Sequence, residues 1–397
     1  MNRRMMLAAL AGAVLVAGPA LAQKTPGVTA TEIKIGQTQP YSGPASAYGT
    51  IGKVEAAYFA MINEKGGING RKINLISLDD GYSPPKTVEQ VRRLVEQDEV
   101  LLTFQILGTP PNSAIHKYMN QKKVPQLFVA TGATKWGDPE HFPWTMGWQP
   151  SYQTEGHIFA KWLLQTKPDA KIGILYQNDD YGKDYVKGLR DGLGAKADKM
   201  IVSELSYEVT DPTIDSQIVS LKGSGADVFF NVTTPKFAAQ AIRKTFDIGW
   251  QPLHLINNVS VSIKAVLEPA GLDKSTGLIT AHYHKDPGDP GYANEPAMKE
   301  WVEFMKKYYP EGNLADSFNM YGYLAAQTMV QVLKQCGNDL SRENVMKQAA
   351  SLDLALPLLH EGIKIKTGPK DFFPIKQMRL MKFDGAKWVA FGDAITG

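Results

Sequence analysis

The feature that most constrains the fold is a repeated alternation of short apolar segments with amphipathic segments. In the first third of the chain, apolar runs of strand length occur at Ile73–Leu78, Val100–Leu107 and Val124–Ala130. Between them, apolar residues recur at helical spacing, and pairs such as Gly66-Gly67 and Pro84-Pro85 mark the ends of segments. Strands that alternate with single helices are typical of a parallel sheet covered on both faces, so the sequence predicts an α/β fold.

The same alternation restarts after a passage rich in proline and tryptophan at Phe142–Pro150, which we interpret as a boundary between two lobes. Beyond it, four more strand-like runs alternate with amphipathic segments: Lys171–Tyr176, Met200–Tyr207, Val228–Val232 and Leu253–Asn257. Helical patterns follow around Trp301 and over Tyr321–Lys334, and strand-like alternation returns between Met378 and Trp388. Since 397 residues exceed one ordinary core, we expect two lobes.

The first residues have the three parts of a secretory signal peptide. Arg3 and Arg4 precede an apolar run that begins at Met5, and an Ala-Leu-Ala sequence ends at Ala22. The apolar run is shorter than the roughly 20 residues that a membrane-spanning helix needs. We therefore predict that residues 1–22 are a signal peptide and that the mature protein is exported in soluble form.

Charge and cysteine content narrow the classes of partner. The 43 Lys and Arg residues against 40 Asp and Glu residues give a net charge of +3, too close to neutral for binding driven by nucleic-acid phosphates. The single cysteine, Cys336, excludes an internal disulfide framework and a zinc site built on two or four cysteines. These numbers favour a small molecule or a protein as the partner.

Motifs of catalysis are scarce in the sequence. It contains neither the G-x-S-x-G nucleophile elbow nor the G-x-x-x-x-G-K-[ST] phosphate loop. Asp79 and Asp80 are a candidate acid–base pair, but consecutive strand residues point to opposite faces, which favours two separate strand-end carboxylates. His282 and His284 are candidate metal ligands without a nearby carboxylate pattern. We therefore expect no catalysis, no cofactor and no metal, with a secreted hydrolase as the least favoured alternative.

Candidate binding residues lie where predicted strands end, because open α/β sheets bind ligands beyond the carboxyl ends of their strands. In the first half of the chain these loops contain Tyr41, Thr109 and Thr134. In the second half the corresponding loops contain Tyr181 and Asn258. The set spans both halves, which makes it more informative than any single member.

Four motifs follow one another in a characteristic order and spacing: Tyr41-Ser42-Gly43-Pro44, Asn63–Gly70, Asp79-Asp80 and Asp180-Tyr181-Gly182. In these motifs the chain resembles the leucine/isoleucine/valine-binding family of type I periplasmic binding proteins, the two-lobed receptors of ABC importers. The resemblance covers essentially the whole chain after the signal peptide. It implies two α/β lobes joined by three crossover segments, a ligand in the cleft between them, and an ABC permease of the inner membrane as partner.

The resemblance also implies where the chain crosses between lobes. It returns to the first lobe near residue 275 and leaves it again near residue 355. The first lobe is then 23–148 plus 276–354, and the second lobe is 149–275 plus 355–397. A receptor of this kind is expected in the periplasm as a monomer, because one receptor per permease is sufficient.

Ligand contacts of the family carry over residue by residue. Thr109 falls where the family places a hydroxyl that binds the ligand carboxylate. The loop Gly132-Ala133-Thr134 matches the segment that binds the ligand through backbone groups and a threonine hydroxyl. Tyr48 and Phe318 match aromatic positions that line the cleft, and Tyr181 matches the tyrosine of the second lobe that closes over the ligand.

Asn258 departs from the family pattern. Amino-acid binders commonly have an acidic residue at this position to neutralise the ligand ammonium, and burying an ammonium without such a partner is costly. The departure favours a carboxylate-bearing ligand without an amine, and the further candidate cleft residues Tyr41, Trp148 and Tyr152 favour an aromatic or hydrophobic body. Branched-chain amino acids, short amides and a sensory rather than a transport role are the alternatives.

Overall fold

The structure is a computed structural model that describes residues 25–397. The predicted signal peptide lies outside the described residues. Two separate sheets, each flanked by helices, form the cores of two lobes, which confirms the predicted α/β architecture. Among the described residues, no helix combines the length and the apolar character needed to cross a bilayer.

The first sheet contains five parallel strands in the order β2-β1-β3-β4-β5. The last of them lies inside the passage that the sequence suggested as a boundary between lobes, so this passage contributes the edge strand before it leaves the lobe. The strands are β1 (Glu32–Gln39), β2 (Lys72–Asp79), β3 (Leu102–Phe104), β4 (Gln126–Val129) and β5 (Thr145–Gly147).

The second sheet contains seven strands in the order β14-β13-β10-β9-β8-β6-β7. Its last two strands in the chain, β13 and β14, run antiparallel to their neighbours, and the others are parallel. A separate two-stranded ribbon pairs β11 with β12. The strands are β6 (Ile172–Gln177), β7 (Ile201–Tyr207), β8 (Val228–Val232), β9 (Leu253–Ile256), β10 (Ile279–His282), β11 (Asp353–Leu354), β12 (Ile365–Lys366), β13 (Gln377–Phe383) and β14 (Trp388–Thr396).

The position of β10 corrects one expected lobe boundary. The chain was expected to return to the first lobe near residue 275, but β10 pairs with β9 and β13 in the second sheet. The return to the first lobe therefore follows His282. Ala281 and its neighbours are buried between strands of the second sheet, which fixes this segment in the second lobe.

Thirteen helices of the described chain cover the two sheets. In the first lobe, α1 packs against the later helices α11 and α12, so the segment that returns after β10 completes this lobe. The bounds are α1 (Gly49–Glu64), α2 (Pro84–Glu96), α3 (Thr109–Lys122), α4 (Tyr152–Thr166), α5 (Asp180–Leu193), α6 (Ala197–Met200), α7 (Asp215–Gly223), α8 (Pro235–Asp247), α9 (Glu268–Ala270), α10 (Leu272–Ser275), α11 (Pro296–Tyr308), α12 (Ser317–Cys336) and α13 (Arg342–Ala349).

The chain passes between the lobes three times. The crossings follow β5, follow β10, and lie around the ribbon of β11 and β12 that precedes β13. The carboxyl ends of β1, β3 and β4 in the first sheet and of β6, β8 and β9 in the second lead into the loops between the lobes. This arrangement places the strand-end loops of both halves around one cleft.

Candidate functional site

A cavity with about 600 Å³ of space between atoms, partly open to solvent, lies between the two lobes. Its wall is unusually rich in aromatic side chains, which come from both lobes and from the crossover after β10. They are six tyrosines and one phenylalanine: Tyr48, Tyr82, Tyr152, Tyr181, Tyr283, Tyr321 and Phe318. All seven are buried, so packed aromatic rings form most of the cavity wall.

Six of the residues selected from the sequence line this one cavity: Tyr48, Thr109, Tyr152, Tyr181, Asn258 and Phe318. Tyr48 ends the short 3-10 turn before α1, and Phe318 lies in the first turn of α12, with 5.0 Å between their ring centroids. On the opposite wall, Tyr181 lies in the first turn of α5. Asp179 caps that helix by accepting the backbone N–H of Tyr181 at 2.9 Å.

Two further candidates do not line the cavity. Tyr41 shares a hydrogen bond of 2.5 Å with Ser77, on the outer side of β1. Trp148 is fully buried behind the wall, where its Nε1 donates to Thr328 at 3.1 Å and its ring contacts Tyr321 at 5.1 Å between centroids. Trp148 therefore supports a ring that lines the cavity without reaching the cavity itself.

The loop Gly132-Ala133-Thr134 lies beside the cavity and contacts the second lobe. Thr134 donates through both its backbone N–H and its hydroxyl to Oδ2 of Asp184 on α5, each at 2.8 Å. The Gly132 carbonyl oxygen accepts the N–H of Tyr152 at 2.7 Å, and Pro150 and the Tyr152 ring leave no room for a side chain at position 132. In the described conformation, this loop joins the lobes.

Hydroxyl groups meet on the first-lobe wall where α3 begins. Thr109, the first residue of α3, shares a hydrogen bond with Thr131, and the hydroxyl of Tyr152 donates to the same Thr131 oxygen at 3.2 Å. Gly108 precedes the helix with a φ of 96°, and its backbone lies against the ring of Tyr82. The loop therefore needs glycine for both its conformation and its close approach.

Asn258 lies over a buried carboxyl group that the sequence analysis did not select. Glu155, in the first turn of α4, accepts the backbone N–H of Asn258 at 2.8 Å and the hydroxyl of Tyr185 at 2.5 Å. It also accepts a hydrogen bond from the side-chain Nδ2 of Asn258. Burial without a basic partner raises the pKa of Glu155 to about 8.

The cavity wall carries no fixed charge. Among the described residues that line it, none is Asp, Glu, Lys or Arg. His282 and His284 also line it, and burial lowers the pKa of both, to about 4 for His284, so both are neutral near pH 7. An ionic ligand group must therefore be stabilised by hydrogen bonds and dipoles.

Three buried polar atoms of lining residues have no hydrogen-bond partner among the described residues. They are the hydroxyls of Tyr181 and Tyr321 and Nε2 of Gln149, which lies in the proline- and tryptophan-rich passage. A buried polar group without a partner destabilises a protein. A ligand with polar atoms at the matching points relieves this cost.

The carboxylates and histidines considered for chemistry have structural partners. Asp79 accepts hydrogen bonds from Ser42, and Asp80 accepts the backbone N–H of Tyr82 at 2.9 Å and the hydroxyl of Thr87 at 2.8 Å. The rings of His282 and His284 are 4.1 Å apart between centroids. Within residues 25–397, no three His, Cys, Asp or Glu side chains are grouped so that they hold a metal ion.

Residues 32–387 match the family model described as periplasmic binding protein. The chain belongs to this family. The match covers the first sheet, all three crossings and every strand of the second sheet except β14, in agreement with the resemblance found in the sequence motifs.

Known relatives of this periplasmic binding protein are distant in sequence and close in fold. A Brucella melitensis protein named Leu/Ile/Val-binding protein homolog 3 is 24% identical over 370 residues, which cover 90% of this chain and 91% of the relative. A branched-chain amino acid ABC transporter structure from Thermus thermophilus with bound valine is 16% identical, with a TM-score of 0.82 and coverage of 92% and 97%. A fatty acid ABC transporter substrate-binding protein from Thermomonospora curvata is 23% identical, with a TM-score of 0.78 and coverage of 94% and 95%.

The two lobes of this periplasmic binding protein contact each other directly. Besides the contact of Thr134 with Asp184, Lys135 of the first lobe forms an ion pair of 2.6 Å with Asp180 of the second. The hydroxyl of Tyr48 donates across the cavity to the carbonyl oxygen of Val259. The structure therefore describes a closed arrangement of the lobes.

Proposed function

We propose that this protein is the substrate-binding receptor of an ABC importer, and that it captures a small carboxylate-bearing compound with an aromatic or hydrophobic body. The observation that carries the proposal is the uncharged, tyrosine-lined cavity between two lobes. Membership of the periplasmic binding protein family and the transport-related names of its relatives support the receptor role. We propose the periplasm as its location and a monomer as its state, with no catalysis.

The polar groups of the cavity suggest how such a ligand binds. Thr109 and the start of α3 offer a hydroxyl and a helix N-terminus to a carboxylate, although Pro110 and Pro111 remove two backbone donors. The aromatic rings bury the body of the ligand. A free ammonium finds no carboxylate on the described wall, and leaving it unpaired is unfavourable.

Binding is coupled to closure of the lobes about the three crossings. The ligand first contacts the first lobe through Thr109, and the second lobe then adds Tyr181 and Asn258. Only contacts made in the closed state shift the equilibrium between open and closed lobes. A change in the ratio of closed to open protein from 1:99 to 99:1 requires about 5.5 kcal/mol of differential binding. The closed form is then the one presented to the permease.

A branched-chain amino acid is the second candidate ligand, and one observation favours it. Glu155 places a carboxyl group directly behind Asn258, where an ionised form attracts a ligand ammonium through the amide. The valine bound in the Thermus thermophilus structure shows that a protein of this fold takes such a ligand.

The test is a thermal-shift screen of the mature chain, 23–397, with benzoate, 4-aminobenzoate, 4-formylbenzoate, hexanoate, benzamide, leucine and valine. A bound compound raises the melting temperature by mass action. We expect shifts with the aromatic acids and none with leucine. A shift with leucine alone overturns the ligand class and retains the receptor role, whereas conversion of any bound compound contradicts a pure receptor.

A further inference from the structure

We propose that Glu155 is a positioning residue that fixes the side-chain amide of Asn258 with its carbonyl oxygen toward the cavity, so that the ligand carries a hydrogen-bond donor at its second-lobe end. The inference rests on the proposed function, because it concerns the ligand of the same cavity. It adds a requirement on the ligand that neither membership of the family nor the names of the relatives state. It also assigns a role to a residue that does not itself line the cavity.

Three donors converge on the carboxyl group of Glu155. Its Oε1 accepts the backbone N–H of Asn258 at 2.8 Å, and its Oε2 accepts the hydroxyl of Tyr185 at 2.5 Å. The Nδ2 group of Asn258 donates to the same Oε2 and lies 3.4 Å from the Tyr185 oxygen. Glu155 is fully buried, so none of these bonds is exchanged freely with water.

This network determines which end of the Asn258 amide faces the ligand. In the structure the backbone N–H of Asn258, the hydroxyl of Tyr185 and the side-chain amide of Asn258 all donate to this carboxyl group, so the amide turns its NH₂ group toward Glu155. The other end, Oδ1, accepts no hydrogen bond from a described residue, and Asn258 is part of the cavity wall. The cavity therefore presents an acceptor at this point, which a ligand N–H or O–H group satisfies and a ligand carbonyl oxygen does not.

Replacing the carboxyl group by an amide reverses this preference. In Glu155→Gln, the side-chain oxygen still accepts the backbone N–H of Asn258, and the new NH₂ group takes the place of Oε2. Two NH₂ groups then face each other, so the Asn258 amide turns around and presents its own NH₂ group to the cavity. The acceptor of the wild-type wall becomes a donor.

The experiment compares three ligands of one shape by isothermal titration calorimetry: 4-aminobenzoate, which donates, 4-formylbenzoate, which accepts, and benzoate, which does neither. We expect wild type to prefer 4-aminobenzoate over 4-formylbenzoate by about tenfold, the value of one hydrogen bond. Glu155→Gln should reverse the order. Asn258→Ala should remove the preference between the amino and formyl compounds.

Glu55→Gln is the matched control. Glu55 is also a fully buried glutamate, on α1 of the first lobe, and it accepts a hydrogen bond of 2.7 Å from Gln37 without lining the cavity. This variant should retain the wild-type order, which separates the positioning role from a general effect of removing a buried carboxyl group.

Two results overturn the inference while the proposed function stands: equal wild-type affinities for the amino and formyl compounds, or an unchanged order in a folded Glu155→Gln variant. If wild type binds none of the three acids, the proposed ligand class fails, and the inference fails with it. If Glu155→Gln does not fold, the order of the wild-type affinities and the Asn258→Ala variant still test the inference. A preference that survives in Asn258→Ala contradicts the role of this amide.

Discussion

The hydroxyl of Tyr48 donates a hydrogen bond of 2.9 Å to the backbone carbonyl oxygen of Val259, and it joins the two lobes directly at the cavity. The two residues are 211 positions apart in the chain. When the lobes separate, this bond is replaced by bonds to water. It therefore stabilises the closed form only, and its loss should weaken ligand binding without weakening either lobe.

The variant Tyr48→Phe retains the ring and removes this bond. We expect the affinity for the tightest compound of the screen to fall by about threefold to tenfold, as the loss of one hydrogen bond predicts. Tyr58→Phe is the control, since Tyr58 lies on α1, the helix that follows Tyr48, and is also buried but does not line the cavity. Calorimetry that gives equal affinities for the two variants would contradict the closing role of Tyr48.

Asp184 forms a second link between the lobes, because both donors of Thr134 bind its Oδ2 atom. We expect Asp184→Ala to shift the unliganded protein toward the open form and to increase its radius of gyration in small-angle X-ray scattering. Asp191→Ala is the control, since Asp191 lies on the same helix and is paired only with Lys187 within that helix. Equal scattering curves for the two variants would show that the link contributes little to closure.

Much of the fold follows from local patterns, and the exceptions have a physical reason. The predicted strand Lys171–Tyr176 corresponds to β6, and the predicted strand Val228–Val232 has the same bounds as β8. The strand β10 was missed because a run of four residues carries too little periodicity to reveal its pairing. Its place in the second sheet depends on β13, about a hundred residues further along the chain.

The site was predictable where a residue lies at a strand end and not where its role depends on a distant partner. Thr109 and Tyr181 follow predicted strands, so their position near the cleft could be inferred. Glu155 looks in sequence like an ordinary polar residue in the first turn of a helix. Its burial depends on Asn258, 103 positions later, and on Tyr185. Only information about contacts between residues distant in sequence identifies Glu155 as part of the site.

The hydroxyl of Tyr181 should have opposite effects on stability and on binding. It is buried at the cavity without a partner among the described residues, so Tyr181→Phe should leave the unliganded melting temperature unchanged or raise it. The same change should weaken ligand binding about tenfold if the ligand supplies the missing partner. Thermal unfolding with and without the tightest compound of the screen measures both effects.

Tyr207→Phe is the contrasting variant for this test. The hydroxyl of Tyr207 donates to Gln177 at 3.1 Å and accepts the backbone N–H of Thr234 at 3.0 Å. Its removal leaves buried groups unpaired and should destabilise the unliganded protein by about 1–3 kcal/mol. A loss of stability in Tyr181→Phe equal to that of Tyr207→Phe would show that the Tyr181 hydroxyl is already paired in the free protein.

Acid should destabilise the protein through its buried histidines near the crossings. Burial lowers the pKa of His284 to about 4 and that of His360 to about 3, and it also lowers the pKa of His282. The unfolded chain, with a histidine pKa of about 6.5, therefore takes up protons first as the pH falls. The stability linked to these groups is fully present above pH 6.5 and is lost as the pH falls toward their folded pKa values.

The variant His360→Leu removes one of these groups together with its unpaired, buried Nε2. We expect the free energy of unfolding, measured by urea titration with tryptophan fluorescence, to fall less between pH 6.5 and pH 4.5 in this variant than in wild type. His141→Asn, at an exposed position, should retain the wild-type difference. The stability linked to Glu155 depends on pH in the opposite direction. Because the pKa of this group is raised, its contribution is present below about pH 4.5 and is lost as the pH rises through about 8. If His360→Leu and wild type lose equal stability over this range, the acid sensitivity arises from groups other than this histidine.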